Sequence, residues 1–147
     1  MKTLGIASLM QRSVDTATPV ETAQTAAHRM QSRNVGTLVV VDEGERPIGI
    51  VTDRDIALRI VAPRASCDTP LADVMTGEIE SIPADTSVDT ALQRMREYGV
   101  RRLPVVDGDD RLVGIVSLED VIAFLSRAMS EVGWFLQQQG PARLARP

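Results

Sequence analysis

The chain has 147 residues, a net charge of −4, and 44% hydrophobic residues of which few are aromatic, so Val, Ile, Leu and Met must fill its core. That length fits one ordinary domain or two small halves that need each other, and the acidic balance argues against a nucleic-acid binder, which needs a basic face to displace counterions. Cys67 is the only cysteine, which excludes an intrachain disulfide and a thiolate metal cluster.

The opening MKTLGIASLM carries one lysine and a brief apolar run that Gln11 and Arg12 interrupt, too short and too weakly charged for a signal peptide. No run approaches the roughly 20 apolar residues of a membrane helix, so a cytoplasmic protein without a membrane partner is expected. GIASLMQ (5–11) reads as a lead-in to the first strand. A helix is expected over Glu21–Arg33, strands over Leu38–Val41 and Ile48–Val51, and a second helix over Asp53–Val61. His28, the only histidine, lies mid-helix without a base partner and reads as a surface side chain. APRASCDTP (62–70) is a linker and PLADVMT (70–76) a second lead-in. IESI (79–82) reads as a strand, and VDTALQRMREYGV (88–100) places Val88, Leu92, Met95 and Val100 near helical spacing with Gly99 as a stop. RRLPVVDGDDRLVGIVS (101–117) reads as a hairpin about DGDD, and Ser117 opens a last helix through LEDVIAFLSRAM. The turns DEGER and DGDDR read as solvated rather than as cation sites. Phe124, Trp134 and Phe135 concentrate on the last helix, which suits a core cap or dimer seam better than base stacking. The tail QQQGPARLARP is polar and reads as disordered.

Shifting the chain by 65 positions lays it on itself. Arg29-Met30 meets Arg94-Met95, VVD at 40–42 meets VVD at 105–107, and GIVTDRD (49–55) meets GIVSLED (114–120) without a gap. The chain is a tandem duplication. Each unit reads strand, helix, strand, strand, helix, an α+β unit whose sheet face is too apolar to stand alone, so the two units are expected to pack together.

The repeated heptad supports two readings. Thr52 with Asp55, and Ser117 with Asp120, fit a helix capping box, although Asp is shorter than the usual Glu or Gln. The same geometry suits a ligand. A helix start presents free N–H groups to anionic oxygen, a carboxylate there accepts two hydrogen bonds from a vicinal diol such as a ribose, and the hydroxyl donates to a ribose or phosphate oxygen. Gly49 and Gly114 leave room for another backbone or a flat ring. No Ser-His-Asp, Cys-His, metal-ligand or Walker-type arrangement is present, so neither an enzyme nor a metal site is expected.

With "M…VG.LVVVDE…PIGIVTDRDI" and "M…VRRLPVVDGDDRLVGIVSLEDVI", the chain resembles a stand-alone tandem CBS-domain protein (a Bateman module) over about residues 5–125. The resemblance implies repeats at 1–61 and 70–128, a linker at 62–69, and a helix end and flexible tail at 129–147. It further implies a pseudo-twofold module, paired into a disc-shaped homodimer, whose inter-repeat cleft binds an adenosyl ligand: AMP, ADP, ATP, S-adenosylmethionine or a dinucleotide of the NAD type. No cofactor is required. By the same resemblance Asp55 and Asp120 grip ribose hydroxyls, Thr52 and Ser117 assist them, Arg101 and Arg102 reach phosphate, and backbone near Val14–Ala17 and Ile79–Pro83 lines the adenine slots. Unit one carries Gly36 and Thr37 at the arginine positions, which implies a phosphate preference at the Asp120 site and less at the Asp55 site. The function implied is a regulatory sensor acting on an unidentified partner protein; the rival is a ligand-free dimerisation or interaction scaffold.

Overall fold

The computed structural model describes residues 4–139. Two units follow one another. The first holds β1 (Thr16–Ala17), α1 (Ala23–Arg33), β2 (Thr37–Val41), β3 (Pro47–Thr52) and α2 (Asp53–Ile56), which runs on as a widened turn over Ala57–Val61. After the linker come β4 (Thr76–Gly77), β5 (Ile82–Pro83), α3 (Val88–Tyr98), β6 (Arg102–Val106), β7 (Leu112–Ser117) and α4 (Leu118–Gln138). Each unit keeps the expected order of strand, helix, strand, strand, helix, with two differences: β4 forms at the end of the second lead-in, and IESI contributes only Ile82 to β5, which pairs in parallel with Val105.

Local chemistry sets the element ends. Thr22 and Ser87 cap α1 and α3 by accepting from the N–H groups of Thr25 and Thr90. Asn34 (φ 55°) and Gly99 (φ 64°) close them in the left-handed region, where Gly and Asn carry little penalty. The last helices differ. Pro63 follows α2, and proline disfavours helix in the residue before it. Its counterpart 65 positions on is Ala128, so α4 continues for 21 residues to Gln138. Two residues expected in the disordered tail, Gln137 and Gln138, are therefore helical; positions 140–147 of that tail lie outside the described residues.

β2 and β6 are buried on both faces, which happens when helices cover one side of a sheet and a second layer covers the other. Leu38 and Val40 face their own unit's helices, as do Leu103 and Val105. The hairpin tips also join: the Leu112 N–H donates to the Glu45 carbonyl at 2.9 Å.

The lead-in segments exchange partners. Ile6 and Met10 pack in the core of the second unit, whereas Leu71 and Val74 pack in the core of the first. The Ile6 N–H donates to the Thr86 carbonyl (2.9 Å) and, 65 positions on, the Leu71 N–H donates to Glu21 (2.8 Å). β4 thereby becomes the fourth strand of the first sheet, with Thr76 opposite Ile50; Gln11 takes the equivalent place opposite Ile115. Each core is completed by the segment that precedes the other unit.

Candidate functional site

Both heptads end a strand and start a helix. At Ser117 the backbone is extended (φ −119°, ψ 162°) and the full capping box forms. The Ser117 hydroxyl accepts from the Asp120 N–H (3.1 Å), and Asp120 Oδ2 accepts from the Ser117 N–H (2.8 Å). Thr52 and Asp55 repeat this at 3.1 and 2.9 Å. The capping reading of the sequence is thus present in full. It consumes one carboxylate oxygen. The other, Asp120 Oδ1, accepts from the side-chain amide of Gln11 at 3.0 Å.

Around Asp120 lies a cleft of about 340 Å³ between the units. Unit two supplies Ser117, Asp120, Ile115 and Arg102; the chain before and within unit one supplies Gln11, Ser13–Asp15, Val35–Thr37 and Val39. Valines and Ile115 make apolar walls, the α4 start makes a polar floor, and Arg102 brings a cation.

A second cleft of about 290 Å³ is related to the first by the 65-residue shift: Ile79 replaces Val14, Val100 replaces Val35 and Ile50 replaces Ile115. Its lining includes Tyr98 and Arg102 and does not reach Thr52 or Asp55. Asp55 is held instead by Arg59 one turn on, Nη2 to Oδ1 at 3.5 Å. Arg59 also donates to the Val74 carbonyl (2.6 Å) and to the Thr76 hydroxyl (3.3 Å), tying helix, carboxylate and lead-in together.

These clefts divide the expected arginines. Arg102 lines the cleft at Asp120, together with Val35-Gly36-Thr37 of the other unit, and Arg101 does not. Arg102 lines both clefts, because β2 and β6 start beside the pseudo-twofold axis. Arg101 lines neither; it pairs with Glu119 on the first turn of α4. Glu119 is held below the usual carboxylate range, first by its own backbone N–H at the helix start, which outweighs the opposing effect of burial, and further by Arg101, Arg102 and the Ser117 hydroxyl.

The remaining expected residues divide. Val14 and Ile79 line the first and second clefts respectively. Pro83 faces away, beside Asp107 and Gly108 at the second hairpin. Gly49 and Gly114 serve close approach of chain rather than of a ring. A Cβ at Gly49 would stand 2.4 Å from Met75 Sδ, and one at Gly114 would stand 2.7 Å from Met10 Sδ and 3.0 Å from the Gln11 carbonyl. Gln11 was not singled out from sequence, and Arg59 was read there only as one of several scattered surface charges. The four-residue spacing of Asp55 and Arg59 is a readable signal for an ion pair, but nothing in the sequence places Gln11 against a residue 109 positions away. Among the described residues no group of three His, Cys, Asp or Glu side chains is set to hold a metal ion, and no helix is long and apolar enough to cross a membrane.

Comparison with known proteins supplies the family. The CBS domain model matches residues 6–62 and 71–127. An uncharacterized protein of Methanopyrus kandleri is 34% identical over 123 residues, 83% of this chain and 63% of that protein, so the chain spans just under two thirds of that relative. The CBS domain-containing protein YhcV of Bacillus subtilis is 43% identical over 112 residues, 76% of this chain and 79% of its own length. Among solved structures, the CBS domain pair of protein MJ0100 in complex with 5′-methylthioadenosine and S-adenosyl-L-methionine matches with a TM-score of 0.76 at 27% identity, covering 86% of this chain and 98% of that one. With two matched domains and a sheet-to-sheet pair of repeated units, this chain belongs to the CBS-domain family as a tandem pair.

Proposed function

We propose that the chain is a regulatory module, not an enzyme, that takes an adenosine-containing molecule into the cleft at Asp120. The observation that carries this reading is the division of labour within one carboxylate. Oδ2 is consumed by the helix cap, while Oδ1 is turned to the cleft and holds a side-chain amide donor, which occupies the place of a ribose hydroxyl. Val14, Val39 and Ile115 offer apolar walls to a flat base, and Arg102 offers a charge-assisted partner to phosphate. The ligands of the MJ0100 pair, both adenosyl compounds, support the same chemistry here. Because the cleft is built from both units, an occupant favours whichever inter-unit arrangement fits it best, and that population shift is the signal a partner protein reads.

A calorimetric titration of the chain with AMP, ATP, NAD, S-adenosylmethionine and 5′-methylthioadenosine tests this. Saturable binding by at least one is expected, weakened about 30-fold or more in Asp120→Ala through loss of charge-assisted hydrogen bonds of about 2–4 kcal/mol. No binding at millimolar ligand would leave the scaffold reading. That reading has its own observation: both motif carboxylates already have partners within the fold.

A further inference from the structure

Arg102 opens β6 opposite Ser117, beside the start of α4. It is the one side chain that lines both the Asp120 cleft and the cleft related to it by the 65-residue shift, and it is the only cation in either lining. A strict duplication would set a second arginine at position 37, where the chain has Thr37. The neighbouring Arg101 is committed to Glu119. Glu119 also feels the charge of Arg102, but among the described residues no carboxylate comes within ion-pair distance of Arg102. Carboxylates are not so scarce. Asp15 and Asp120 line the first cleft, and Glu78 and Glu80 line the second.

We propose that Arg102 is one counter-charge shared by two clefts. With adenosyl compounds entering the clefts as proposed above, the module then takes one anionic and one uncharged adenosyl compound together and resists two anions. The reason is electrostatic. A phosphate in either cleft enters a lining with two carboxylates, so it needs a cation, and the guanidinium can turn to one cleft or the other on its flexible stem. The first phosphate to arrive takes its charge-assisted hydrogen bonds. A second phosphate meets carboxylates without a counter-charge. It also stands within one side chain's reach of the first phosphate, where like charges repel because salt screens only over about 8 Å. An uncharged adenosine escapes both costs, since its base and ribose need no cation. Arg102 therefore makes each cleft's preference for phosphate depend on what the other cleft holds.

The test compares AMP with adenosine by calorimetry in the full chain and in two variants that each fill one cleft. Val14→Trp closes the first cleft and Ile79→Trp the second, both at half-buried positions. Each variant is expected to bind AMP about tenfold or more tighter than adenosine, and Arg102→Ala to abolish that preference in both. In the wild type the first AMP is expected to show the preference and the second to lose it, while adenosine still fills the cleft left beside a bound AMP. Raising the salt should narrow the gap between the two AMP events. Should Val14→Trp fail to fold, Asp120→Ala weakens the first cleft and lets the second report. If neither compound binds the wild type, the adenosyl reading falls and the sharing with it. A preference for AMP in only one of the single-cleft variants, in both wild-type events, or in Arg102→Ala would overturn the sharing and leave the adenosyl reading standing.

Discussion

The two clefts are built from the same repeated parts, yet only the first is lined by its motif carboxylate, and the chain has partnered the two carboxylates differently. Asp120 holds a neutral amide, that of Gln11; Asp55 holds a cation, Arg59, which is itself pinned to the lead-in at Val74 and Thr76. Shifting by 65 positions exchanges Gln11 for Thr76 and Arg59 for Phe124, so neither partner has a copy in the other half. A neutral amide is displaced by a diol at little cost, one hydrogen bond replacing another. Displacing a guanidinium forfeits an ion pair as well. Duplication thus preserved the motif, and residues outside it separated two sites that the motif alone would make equal.

The largest effect that would break this comparison is on binding. Asp120→Ala is expected to lower adenosyl-ligand affinity by about 2–4 kcal/mol, whereas Asp55→Ala leaves the tighter site intact. Equal losses in a titration of the two variants would mean the clefts are equivalent after all.

Next come the glycines, where the two halves should differ in stability. Gly49→Val drives a Cβ closer to Met75 than Gly114→Val drives one to Met10. Both are expected to cost about 1–3 kcal/mol by overpacking, Gly49→Val the more, as read by urea denaturation midpoints. A neutral Gly49→Val would show that the lead-in is not held where it lies.

A smaller effect sharpens the comparison from the other side. Arg59→Ala releases Asp55, and the weaker cleft is expected to gain affinity by a few-fold, since a half-exposed pair is worth at most about 1 kcal/mol. Gln11→Ala is expected to change the Asp120 cleft less, and the two titrations side by side would show it.

The smallest is the pH effect of one ion pair in unit one. Arg29 pairs with Glu21 and donates to the Thr16 carbonyl at 2.7 Å, and the Arg29 hydrogen bond holds the Glu21 carboxyl below its ordinary range. The folded value lies below the unfolded one, so the contribution is fully present above the unfolded value, roughly pH 4.3, and is lost as pH falls through the folded value. Glu21→Gln is therefore expected to cost less than about 1 kcal/mol at neutral pH and nothing in strong acid. In unit two Thr86 stands at the glutamate position and Arg94 turns to Glu97 and Tyr98; Arg94→Gln is expected to show no such acid dependence in thermal melts.

Much of this was legible in the residues. The 65-residue shift gave the two units, the Val-rich runs gave β2, β3, β6 and β7, and Thr52-x-x-Asp55 with Ser117-x-x-Asp120 gave the capped helix starts, because strand period, turn chemistry and capping act within a few residues. The length of α4 was underread, although the replacement of Pro63 by Ala128 carries it. The two arginines could not be told apart from sequence: Arg102 lines the Asp120 cleft while its neighbour Arg101 turns to Glu119, and a cleft between units takes its two walls from different units.

The amino-acid sequence by itself determined the repeat, the elements and the caps, whose causes are local backbone and side-chain preferences. Only the tertiary structure decided that Ile6 and Met10 serve the second core while Leu71 and Val74 serve the first, that Gln11 meets Asp120, and that Arg102 stands between both clefts. Those outcomes depend on which of two nearly identical apolar surfaces each segment covers. Local propensity is the same for either choice, so packing across the pseudo-twofold axis makes it.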